Sequence, residues 1–297
     1  MKKHLIEREH ARNKAHDLLE EFGVEAPEHL QIEAFAHRLG VGLVEAQLEG
    51  ARAQLVVGSQ GARILLSDRL TAPEARRWSI AHELGHYVLG HPAVPAAELC
   101  VPRPRGHRCE AEAAANRFAS VLLMPSSIVA SFCDRAPMTL DVPMQLAETC
   151  RVPWTASAVR IIETSWRVCA FAISEGGELR VAAPSLPFAW LCGRRFWAGR
   201  PVGHGALARR FFDGNGYPEE PELVPASAWI DGCDRDAVLL EHSVVTQGGR
   251  VLTLLSEPTD VAMTRPAAAT LPVVSAAHDW LLDQLRDEAA DEGRSAA

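Results

Sequence analysis

The run His82-Glu83-Leu84-Gly85-His86 constrains this chain more than any other feature. It lies within Thr71 to Pro92, a stretch that reads as one helix. Thr71 and Glu74 have the spacing of a capping box, Pro73 is tolerated in a first turn, and Gly90 with Pro92 closes the far end. On a helix, positions i and i+4 share a face, so two imidazoles converge on a single ion while the glutamate beside the first points toward a water on that ion. Zinc held this way acidifies its water and polarises a peptide carbonyl. The carboxylate takes the proton and passes it to the leaving amine, which is amide hydrolysis without a covalent intermediate. A pattern with three fixed positions arises by chance in roughly a few per cent of chains this long. The capped helix and the small flanks Ala81 and Gly85, which leave room around the histidine face, weigh against two histidines that merely satisfy each other.

A catalytic zinc needs a third protein ligand and an open fourth position. A metzincin extension would require a histidine at position 92, where the chain has Pro92, so that class is excluded. The alternative is a carboxylate from the next helix, expected from about Glu110 to Met124 and stopped by Pro125. Glu110 and Glu112 are the candidates. Glu112 shares a stripe with Asn116, Ala119 and Leu123, and Ala113, Ala114 and Ala115 allow a close approach to the first helix. Glu110 is better placed to stabilise the helix N-terminus. Tyr87, His91 and Asn116 are candidates to orient a ligand or to stabilise an oxyanion.

At 297 residues the chain predicts two domains. A net charge of −8 argues against a grip on nucleic acid or anionic lipid. There is no signal-like start or apolar run of membrane-spanning length, which predicts a cytoplasmic protein with no membrane partner. Seven scattered cysteines without a CxxC pair predict reduced thiols. Amphipathic patterns predict helices over residues 2–22 and 30–40. Short apolar runs at Val41–Val44, Ala53–Val57 and Arg63–Leu66 predict a small antiparallel sheet with a hairpin at Gly58 to Gly61. Helices are expected at Asp141–Thr149 and Thr155–Trp166. Strands follow at Val168–Ser174, Leu179–Ala182, Val238–Val245 and Arg250–Leu255, with glycine pairs at 176–177 and 248–249 as turns. A further helical stretch is expected around Trp280. The pair at 141–166 has a helix-turn-helix outline, but its charges cancel, so a structural or partner-docking pair is the better reading. The fold class expected is α+β, with a mostly helical zinc-peptidase domain (1–166) followed by a strand-rich α/β domain (167–297).

Two separated segments together carry a family resemblance. Arg77-Trp78-Ser79-Ile80-Ala81-His82-Glu83-Leu84-Gly85-His86-Tyr87-Val88-Leu89-Gly90-His91 precedes Glu112-Ala113-Ala114-Ala115-Asn116-Arg117-Phe118-Ala119-Ser120-Val121-Leu122-Leu123-Met124-Pro125. The pair resembles the ImmA/IrrE metallopeptidases over roughly residues 27–165, with Trp78 in place of the usual Phe and an Arg/Pro-rich insertion at 101–108. The resemblance implies a gluzincin-like fold, Zn2+ as cofactor, His82, His86 and Glu112 as its ligands, and Glu83 as general base. It also implies intracellular action on a regulatory protein, typically a helix-turn-helix repressor encoded nearby, to switch on stress-response or mobile-element genes. The region after 166 is similar in texture to a GAF-like sensor or docking domain. Substrate is expected to add as a strand beside Arg63–Leu66. The alternative from a different class is a regulator that keeps the zinc fold and sequesters its partner without cutting it. An intact Glu83 favours the enzyme.

Overall fold

Strong local signals bracket the helix of His82 and His86 on both sides, and the computed structural model realises most of them. It describes residues 2–48, 51–92, 94–95, 108–216, 220–246 and 248–258. The Arg/Pro-rich stretch 101–107 and the helical stretch expected around Trp280 lie outside these residues. The described chain forms two compact units, and the second includes residues 129–146 and 157–258. The segments 129–146 and 157–164 therefore cluster with the later strands, although the sequence had grouped them with the zinc helices.

In the first unit, α1 (Lys2–Glu21) buries Ala11, Ala15, Leu18 and Leu19 and ends at Gly23, whose φ of +64° suits glycine. Short α2 (Ile32–Arg38) buries Ile32, Phe35 and Ala36. Three strands follow: β1 (Val41–Ala46), β2 (Ala53–Gly58) and β3 (Gly61–Ser67), and β4 (Val94–Pro95) adds a two-residue edge. The sheet order is β1-β3-β2-β4. The expected β2–β3 hairpin is antiparallel, but β1 joins β3 in parallel, so the sheet is mixed. Helix α2 precedes β1 and the β1–β2 connection carries the chain back, which permits the parallel pairing. As a result β3 is central and cannot be the edge strand that receives a peptide. Among the described residues the edges are β1 and the two-residue β4, which pairs with Val56 and Val57 of β2.

Helix α3 (Pro73–Val88) runs against α4 (Arg108–Leu123). The capping box does not form: Ala72 is the N-cap and no side chain caps the helix, while Pro73 occupies its first turn. Helix α5 (Ser126–Cys133) follows, then α6 (Asp141–Cys150) and α7 (Trp154–Thr164).

The second unit is organised by an antiparallel sheet of β5 (Cys169–Glu175), β6 (Glu178–Pro184), β7 (Glu222–Pro225), β8 (Val238–Val245) and β9 (Val251–Ser256), in the order β6-β5-β9-β8-β7. Gly176 and Gly177, with φ of +58° and +83°, make the two-residue turn between β5 and β6. Two helices too short to leave a periodic signature, α8 (Leu186–Cys192) and α9 (Leu207–Phe212), cover part of it. Ser185 starts α8 and pins it to β5: its hydroxyl donates to the carbonyl of Arg167 (2.7 Å) and accepts from the amides of Cys169 and Phe188. The core surrounds fully buried Trp229, and beside it the Glu241 carboxylate is completely buried. Its oxygens receive the amides of Leu207 and Ala208, the Trp229 indole N–H and the Ser243 hydroxyl at 2.7–3.0 Å. Burial pushes the Glu241 pKa up, against these donors, which favour the charged form.

None of the five cysteines with described side chains forms a disulfide, and burial raises the thiols of Cys133 to about 12 and Cys169 to about 11. No single helix among the described residues is long and apolar enough to cross a membrane.

Replacing Glu241 with Gln turns an NH2 group toward obligate N–H donors. The substitution should cost about 1–3 kcal/mol of stability, read as a lower midpoint in urea unfolding of the second-unit signal, with zinc content unchanged.

Candidate metal centre

The helical spacing acts as the sequence indicated. His82 and His86 lie one turn apart on the same face of α3, and their Nε2 atoms are 3.1 Å apart. The Glu112 Oε2 on α4 is 3.2 Å from the first and 3.6 Å from the second. Among the described residues, these three bring ligand atoms close enough together to hold a metal ion. Tetrahedral zinc with bonds of roughly 2.0–2.1 Å would place its ligand atoms about 3.3 Å from one another, so the donor set fits the ion in both geometry and chemistry. Glu110, in the first turn of α4, is exposed and is not part of the group.

The close approach of the two helices depends on small residues. A Cβ on Gly85 would lie 3.1 Å from both the Cα and the carbonyl oxygen of Ala115, and equally near the Phe118 ring. Ala113, Ala114 and Ala115 are all buried at this contact.

The outward ring nitrogens of both histidines are engaged. His82 Nδ1 lies 2.7 Å from Asn116 Oδ1, and an amide oxygen only accepts, so the imidazole donates there and keeps its Nε2 lone pair for a ligand role. Asn116 is buried, one turn beyond Glu112 on the same stripe. His86 Nδ1 lies 3.0 Å from His91 Nδ1, and His91 reaches it because the chain turns at Gly90, with φ of +66°. Burial first, then the neighbouring His86, lowers the His91 pKa to about 4, which favours a neutral ring able to accept the His86 Nδ1 proton. The sequence had pointed to a second-sphere or surface place for His91, and the structure sets it against His86. Tyr87, the remaining candidate, is 36% exposed.

Glu83 is buried, and its Oε2 accepts the amide of Leu55 on β2 at 2.8 Å. This contact was not legible from motif spacing. It follows from strand alternation: Leu55 pairs with Ile64 of β3 at a position whose amide faces away from the hairpin and toward α3.

Residues 30–161 match the IrrE N-terminal-like domain, a peptidase M78 family. The IrrE-like segment contains every residue of the metal group, together with Glu83, Asn116 and His91. A solved structure of a Mycobacterium tuberculosis transcriptional regulator shares the fold, with a TM-score of 0.52 and 12% identity, over 84% of this chain and 76% of that chain. No curated protein matches the sequence.

Purified protein should carry about one zinc per chain by atomic absorption. His82→Ala and Glu112→Ala should lose it, and Glu110→Ala should keep it. Asn116→Ala should weaken affinity by about 10–100-fold in a chelator competition. Full zinc retention by Glu112→Ala would contradict this ligand set.

Proposed function

We propose that this IrrE-like protein is a zinc-dependent endopeptidase that cleaves a regulatory protein, most specifically a helix-turn-helix repressor encoded beside its own gene, to switch on a stress or mobile-element response. The observation that carries this reading is the placement of Glu83. Next to His82 in the chain, Glu83 has its Oε2 held by the Leu55 amide, which leaves Oε1 for the role of base.

His82, His86 and Glu112 would hold the ion. A bound zinc supplies Lewis-acid polarisation of the scissile carbonyl and a water acidified toward neutrality. The protein does the remaining work. Asn116 and His91 fix the ring orientations through Nδ1, so each Nε2 lone pair faces inward. The Leu55 amide holds Glu83 Oε2, and Oε1 takes the proton from the attacking water and delivers it to the amine of the departing peptide. Substrate would lie extended along the sheet edge beyond β2, in place of the β3 edge expected from sequence. Backbone pairing there selects little by sequence. Partner choice then rests on docking elsewhere, with the chain from 167 onward as sensor or docking domain. A net charge of −8 suits a basic, DNA-binding substrate better than DNA itself.

Co-expression of the neighbouring repressor with the wild type should yield one repressor fragment that is absent with Glu83→Gln, a variant that spares the metal ligands. If the repressor stays intact yet is bound by both forms and released from DNA, the chain acts by sequestration and the peptidase reading fails.

A further inference from the structure

A cavity of about 670 Å3 opens within the second unit, between the chain from Arg135 to Gln145 and strand β8. Its walls are anchored. The Leu140 amide donates to His242 Nδ1 at 3.2 Å, and the Ser256 hydroxyl donates to the Met138 carbonyl at 2.9 Å. The first of these bonds also sets a tautomer. A ring nitrogen that accepts a backbone N–H carries no proton of its own, so the His242 proton sits on Nε2. His242 is only 7% exposed, lines the cavity, and has no partner for Nε2 among the described residues. The Nε2–H is therefore open to whatever fills the cavity.

Around this donor stand charges of both signs. Arg135 lies with its guanidinium 4.0 Å from the Phe132 ring centroid and bonds the Gln145 side chain, leaving much of its donor fork open. Asp141 receives the Thr139 hydroxyl at 3.0 Å, and Glu220 faces the same space. Among the described residues, Arg135, Asp141 and Glu220 form no salt bridge with one another or with any other group. Met144 and Val244 supply apolar wall between them. A simple anion would meet two carboxylates here, and a simple cation would meet Arg135. A molecule with both charges and an aliphatic body meets neither objection. The volume falls within the range of roughly 300–1,000 Å3 that holds drug-sized ligands, which leaves room for more than a single amino acid.

We propose that this cavity binds a short zwitterionic peptide, with its carboxylate on Arg135 and the His242 Nε2–H and its ammonium on Asp141 and Glu220. The site uses none of the metal-centre residues, so it stands or falls separately from the peptidase reading.

The probe is the tripeptide Ala-Leu-Ala, titrated calorimetrically into the full chain carrying Glu83→Gln so that it cannot be cut. Binding should be detected. N-acetylation or C-amidation of the peptide should each weaken it by about tenfold, the scale of one lost charge-assisted hydrogen bond. His242→Asn keeps an acceptor for the Leu140 amide and removes the Nε2–H, and should weaken binding by a similar factor at unchanged Tm. Should that buried variant lower Tm, exposed Arg135→Gln decides, with the same loss expected. Failure of the free tripeptide to bind, or equal binding after both ends are capped, overturns the proposal. So does binding that His82→Ala abolishes and His242→Asn leaves intact, since that peptide would sit at the metal centre.

Discussion

The metal group depends on how closely α3 and α4 can approach. Glu112 and the two histidines belong to different helices, and a carboxylate side chain is short. The Glu112 Oε2 comes within 3.2 Å of His82 Nε2 because Gly85 presents no side chain to Ala115, where a Cβ would meet backbone at 3.1 Å. Packing of this density gives little room for relaxation, so one methyl group at the contact displaces a helix rather than a rotamer. The alanine run that makes α4 a good helix former also makes it thin enough to sit there.

From that contact the remaining order of the site follows outward. The stripe that points Glu112 inward brings Asn116 to His82 one turn later, and the turn at Gly90 returns His91 to His86. The sheet contributes a single amide, that of Leu55, and this fixes one oxygen of Glu83. Each imidazole and Glu83 therefore has a hydrogen-bond partner that holds its orientation, the kind of preorganisation that a functional site requires.

How much of this was legible in the sequence depends on whether the signal was local. The helical pair His82 and His86, the inward face of Glu112, the β2–β3 hairpin and the glycine turns all rest on spacings of a few residues, and each appears in the structure. Contacts between distant segments were not legible. The parallel pairing of β1 with β3, the Leu55 amide on Glu83, and the grouping of 129–146 with the later strands depend on how separate elements meet. The expected capping box was a local signal that lost: Pro73 in the first turn moved the N-cap to Ala72, which has no side-chain oxygen to offer. Helices α8 and α9 span only seven and six residues, too few for a 3.6-residue period to stand out.

In the second unit a buried carboxylate does the organising that a metal would do in the first. Glu241 gathers donors from α9, Trp229 and its own strand, so the helix that follows Ala206 is tied to the sheet through one side chain. The site turns on coordination at α3 and α4, and zinc-edge X-ray absorption of the purified protein reads it directly. The predicted spectrum has two imidazole nitrogens and carboxylate or water oxygen at roughly 2.0–2.1 Å with no sulfur, and the Glu112→Ala protein shows no such bound zinc. A sulfur shell at roughly 2.3 Å, or an unchanged spectrum after Glu112→Ala, would contradict it.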